Sequence, residues 1–104
     1  MSFIMRRVMY GKPGTADQLV QLMKDSERFL ERYGGVAKMR TLVDHMCGRS
    51  DRVVGEFEMN DISDFYAFMG QVMSKHEAAA EYKALEEKGF HLTDYSEAEW
   101  WRVV

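Results

Sequence analysis

One cysteine and one proline in 104 residues set the first limits. Cys47 alone closes no intrachain disulfide and builds no thiolate metal cage, which suits a reducing compartment and makes the cytoplasm the expected location. No run approaches the ~18 consecutive apolar residues of a membrane span. The opening MSFIMRRVMY also lacks the apolar stretch of a signal peptide, so a soluble chain with no membrane partner is expected. A basic excess is missing too: 14 Lys and Arg against 17 Asp and Glu leave a net charge of −3. The cations are dispersed, which argues against a nucleic-acid surface, because phosphate binding needs clustered Lys and Arg. There is no glycine-rich phosphate loop, since Gly34-Gly35 closes a helix and opens none. His45, Cys47 and Glu56 match no metal-ligand spacing, and no metal is expected.

What is present reads as one domain over residues 1–104, with a 46% hydrophobic share and 30% charge typical of a globular fold. Phe3 to Tyr10 is rich in β-compatible residues and stops at Gly11-Lys12-Pro13-Gly14, a strand and a turn. Thr15 then stands as an N-cap. Leu19, Leu22, Met23, Ser26, Phe29, Leu30 and Tyr33 recur at three- and four-residue spacing, an amphipathic helix ending at Gly34-Gly35. Lys38 to Cys47 alternates with a period of two, and Gly48 to Asp51 supplies turn residues before a second alternating run, Arg52 to Met59. These two form an antiparallel hairpin. Asn60-Asp61 caps a further helix, which Ser74 and Glu77, spaced as a capping box, predict to break near Ser74. Its second piece should end at a left-handed Gly89. Phe90 to Ser96 reads as irregular and Glu99 to Val104 as a closing strand.

The order βαββαβ gives an α+β fold: a four-stranded antiparallel sheet with two helices on one face, the ferredoxin-like arrangement. The other face, with Arg40, Asp44, Glu56 and Glu58 among Leu42, Met46 and Val54, is either solvated or the contact of a two-fold homodimer. A domain this small buries only about two-thirds of its unfolded surface, which also favours association. The opening strand with GKPG and an amphipathic helix, the hairpin TLVDHMCGRSDRVVGEFE and the broken second helix resemble the dimeric α/β-barrel superfamily. Within it the likeness is to small NIPSNAP-like and stress-response-type members. The resemblance spans essentially the whole chain and implies two sheets paired into a barrel, with ligands entering a cavity between sheet and helices.

Few residues stand out as chemistry. His45 shares a strand face with Thr41 and Cys47, the face expected to look toward the helices. A histidine there is either a general base or a buried group held by a backbone carbonyl or tyrosine. Asp44 falls on the opposite face, so the two make no dyad. Arg6 and Arg7 point to opposite faces of the first strand, and whichever is enclosed needs Glu56, Glu58 or an anionic ligand as partner. Tyr66 is a proton-transfer candidate within the stripe Phe65, Tyr66, Phe68, Met69 and Met73, which otherwise reads as core. His76 matches the position of the proximal haem ligand in haem-degrading members of the superfamily. The asparagine and tryptophan that accompany it there have no counterpart in FIMRRVMY and DFYAFMGQVM.

Three functions follow. The first is a cofactor-free enzyme or binder of a small apolar or aromatic carbonyl or hydroxyl compound, using His45, Tyr66 and an arginine of the first strand. The second is a non-catalytic assembly or stress-response module. The third is haem binding through His76. A cavity of a few hundred Å³ between helices and sheet favours the first and a closed interface the second.

Overall fold

The computed structural model describes residues 2–35, 37–44 and 51–104. Its elements are β1 (Phe3–Gly11), α1 (Ala16–Arg32), β2 (Lys38–Val43), β3 (Arg52–Met59), α2 (Ile62–Ser74), α3 (His76–Leu92) and β4 (Thr93–Arg102). The four strands form one antiparallel sheet in the order β2-β3-β1-β4. This is the ferredoxin-like arrangement with its second helix divided in two, and the division falls at Lys75.

α1 buries Leu19, Leu22, Met23 and Phe29, the stripe that its spacing marks. The first three join Met9 and Val53 in one cluster, while Phe29 joins Phe68, Val72 and Ala78 in another. Leu19, Val53 and Val72 are almost completely enclosed, each worth roughly 1.5–3 kcal/mol of transfer free energy. α1 comes close to the sheet at Gly11, where any Cβ would collide with the Thr15 hydroxyl and would lie 2.7 Å from the Asp51 carbonyl oxygen and the Leu19 side chain. Gly34, with φ 77°, supplies the left-handed residue that ends the helix.

Several local expectations are corrected. Thr15 occupies the N-cap position but its hydroxyl donates to the Lys12 carbonyl. The first amides of α1 are met instead by Asp51, whose carboxylate accepts from Gly14 N at 3.1 Å and Ala16 N at 3.2 Å. This ties the start of β3 to the start of α1. Ser74 and Glu77 form no capping box, for Ser74 Oγ donates to Gln71 O and the N-cap of α3 is Lys75. Gly89 does not end α3, which runs on to Leu92, and β4 starts directly at Thr93, so Phe90 to Ser96 is regular. Gly89 lies against Leu22 of α1, 3.5 Å from its Cδ2 to the position of a Cβ, and serves helix packing. β2 ends at Val43; residues 45–47, which the alternation assigned to it, and the turn residues 48–50 lie outside the described residues. The stripe on α2 splits: Phe68 is buried, whereas Tyr66 and Met73, seven residues apart, are more than half exposed.

Candidate functional site

Strand alternation sends Met5, Arg7 and Met9 of β1 to the helix-covered face and Ile4, Arg6 and Val8 to the open one. Between that covered face and the helices lies a cavity of about 220 Å³. The sheet contributes Met5, Met9, Phe57 and Met59 to its wall. α1 adds Met23 and Phe29, α2 adds Phe65, Phe68 and Met69, and α3 adds Tyr82 and Leu85. The Trp100 ring of β4 stands edge-on to Phe65 at 5.5 Å. Arg7, Glu86, Phe90 and Ser96 line the cavity and are all exposed, so they form its mouth, over β4. Asp64 of α2 also reaches the lining.

Polar groups are few and distinct in state. Ser26 is occupied, its hydroxyl donating to Leu22 O at 2.9 Å. Burial, and then the Glu86 carboxylate one turn along the helix, push the Tyr82 phenol above its ordinary value, while Arg7 pulls it the other way. Tyr82 therefore stays protonated at neutral pH, with the Glu86 carboxylate also in hydrogen-bonding reach of its hydroxyl. Arg7 is the one cation among the described lining residues. Its Nη1 lies 3.5 Å from Ser96 Oγ, and no carboxylate of the described residues forms an ion pair with it.

The open face differs. Arg6 Nε lies 3.2 Å from Glu56 Oε2, an ion pair without hydrogen-bond alignment, and Arg6 Nη1 is 4.0 Å from Glu99. Arg40 Nε donates to the other Glu56 oxygen at 2.7 Å. Pairing of Arg40 and Arg6 with a carboxylate of their own sheet is thus observed. Asp44 takes two hydrogen bonds from Arg52, at 2.9 and 2.8 Å.

The residues singled out in the sequence therefore scatter. Arg7 reaches the cavity and Arg6 does not. Tyr66 is 62% exposed and absent from the lining, because it sits one residue off the inward positions Phe65, Phe68 and Met69. His76 is exposed at the first turn of α3, away from the lining, so the described residues offer a haem in this cavity no histidine ligand. Among the described residues no three His, Cys, Asp or Glu side chains gather as a metal-binding group. His45 and Cys47 lie outside the described residues. Tyr82 was missed. The signal was there in Ala78, Tyr82, Leu85 and Gly89, an inward stripe at four-three-four spacing within a segment that reads as a polar helix.

Comparison with solved structures places this architecture. A NIPSNAP family protein from Agrobacterium tumefaciens strain C58 superposes with a TM-score of 0.75 at 12% identity, covering 99% of this chain and 86% of that one. A NIPSNAP domain protein from Burkholderia xenovorans gives 0.75 at 13% identity, covering 98% and 94%. The chain has the fold of the NIPSNAP proteins. It also superposes on a single-residue variant of SnoaB, a cofactor-independent oxygenase from Streptomyces nogalater, with a TM-score of 0.69 at 13% identity, covering 98% and 92%. These proteins share the ferredoxin-like fold of the dimeric α/β barrels. No family model matches the sequence, and no curated protein sequence matches it. No helix among the described residues is long and apolar enough to cross a membrane.

Proposed function

We propose that the protein binds a small apolar or aromatic compound bearing an oxygen function in the cavity between sheet and helices. One observation carries the reading: a concave space lined by methionine and aromatic side chains, with a cation at its mouth that forms no ion pair among the described residues. Ligand pockets are concave and mostly apolar, with a few convergent polar groups, and usually measure about 300–1,000 Å³. A volume of about 220 Å³ therefore suits a molecule of one or two rings. Thioether side chains adapt their shape to such a guest. A closed interface, as a purely structural module would have, offers no such space. The fold likeness to a cofactor-independent oxygenase is an analogy that agrees with a site needing no resident cofactor. If the bound molecule is converted, Arg7 and Tyr82 are the groups placed to steady a developing oxyanion, and His45 is the remaining proton acceptor to test.

Calorimetric titration with 1-naphthol tests the reading. Saturable binding that Met69→Trp removes, with an unchanged circular dichroism spectrum, is the expected result. Binding that survives the filled cavity would place the ligand elsewhere.

We further propose that two copies pair through the open sheet face. Leu42, Tyr95 and Trp101 are exposed there, interspersed with the Arg6–Glu56–Arg40 network, a mixture suited to a self-complementary two-fold contact. Sedimentation should give twice the chain mass, and Trp101→Glu should shift it to the monomer. A monomer at micromolar concentration in the unaltered protein would refute the pairing.

A further inference from the structure

The contrast between two adjacent arginines narrows the chemistry of the ligand. Arg6 is engaged by Glu56 and Glu99, so its charge is neutralised within the sheet. Arg7, one residue on, turns to the cavity, where among the described residues its side chain meets the Ser96 hydroxyl at 3.5 Å and forms no ion pair. A guanidinium presents a planar fork of N–H donors that matches the two oxygens of a carboxylate. Tyr82 lines the same cavity, its phenol pushed up by burial and by Glu86 and pulled down by Arg7. The rest of the described lining is mainly apolar, with Ser26, Asp64 and Thr93 as its other polar side chains.

We propose that the ligand is a small aromatic or apolar monocarboxylate, its ring system inside the cavity and its carboxylate at the mouth against Arg7. This rests on the reading of the cavity as a binding site. The charges around the mouth limit the choice to one negative charge. Arg7 is the only cation of the described lining, while Glu86 of α3 and Asp64 of α2 are carboxylates and Ser26, Thr93 and Ser96 are uncharged. A phosphate or dicarboxylate would face those carboxylates with its second charge unpaired. Glu86 also opposes the single charge, so it acts as a brake on affinity that its removal releases.

The test compares 1-naphthoate with 1-naphthamide, which have the same ring system and differ in charge, by calorimetric titration at neutral pH. The unaltered protein should bind the carboxylate about tenfold more tightly. Arg7→Gln should abolish that preference, weakening 1-naphthoate about tenfold more than 1-naphthamide. Glu86→Gln, a change at the exposed rim, should tighten 1-naphthoate several-fold. Equal affinity for the two compounds in the unaltered protein, indifferent to Arg7→Gln, overturns the carboxylate assignment and leaves the cavity reading standing. Failure of both compounds to bind overturns the two together.

Discussion

The two faces of the sheet are built from alternate residues of the same strands and solve opposite problems. On the open face, every described arginine of β1, β2 and β3 has a carboxylate or shares one: Glu56, only 12% exposed in its side chain, lies between Arg6 and Arg40, and Asp44 takes Arg52. On the covered face the strands present methionine, valine and phenylalanine to three helices, and the one cation of the described cavity lining, Arg7, is left without a counter-ion among the described residues. A charge satisfied within the sheet holds strands in register. A charge left over at the edge of an apolar cavity is available to something that enters.

The largest effect should come from breaking the covered face. Phe29 is 3% exposed and touches the rings of Tyr33, Phe68 and Tyr82, so Phe29→Ala should cost about 3–5 kcal/mol in urea unfolding. A loss below about 1 kcal/mol would mean that the helices do not pack as described. On the open face, Glu56→Ala strands Arg6, whose Nε is buried, and should cost about 1–3 kcal/mol, less than a deep ion pair because both arginines reach solvent. Arg40→Ala should cost less than Glu56→Ala, since Arg40 is 71% exposed in its side chain. The reverse order would show that Glu56 is not the shared partner.

A smaller effect belongs to the helix that roofs the cavity. Asp61 accepts a hydrogen bond from Ser63 N at 2.9 Å, which holds its pKa below the ordinary 3.8. A carboxylate depressed in the folded state stabilises above its unfolded value and loses that contribution as pH falls through the folded one. The penalty of Asp61→Ala should thus be full at pH 7 and fade once the pH drops below 3.8. A penalty constant down to pH 2 would contradict the cap. The smallest stability change should come from Arg7→Gln, within about 0.5 kcal/mol, although it removes a charge as surely as Arg6→Gln does. If Arg7→Gln proves as destabilising as Arg6→Gln, then Arg7 holds the fold together and is not reserved for a ligand.

How much of this the sequence carried differs between the faces as well. Period-two alternation assigned Arg6 and Arg7 to opposite sides, put Arg40, Glu56 and Glu58 together, and the helical spacing of α1 named its buried residues. These are local properties, written into the spacing itself. The break after Ser74 was legible, but not its capping, because Ser74 bonds backward to Gln71. Gly89 misled, since its place is fixed by contact with Leu22 of another helix, which no local pattern reveals. The cavity follows from the resemblance, yet its residues largely do not: aromatic density on α2 draws attention to Tyr66 and nothing singles out Tyr82, whereas inward direction is decided by how α2 and α3 sit on the sheet. Asp51 as the cap of α1 was equally hidden, being 35 residues from the amide of Ala16.

The most direct test of the account is a methionine-methyl NMR titration with 1-naphthol. Met5, Met9, Met23, Met59 and Met69 line the cavity, while Met73 is 53% exposed and outside it. The account predicts that the five cavity methyls shift together with a single saturation curve and that Met73 stays in place. Shifts confined to Met73, or cavity methyls unmoved at saturating ligand, would contradict it.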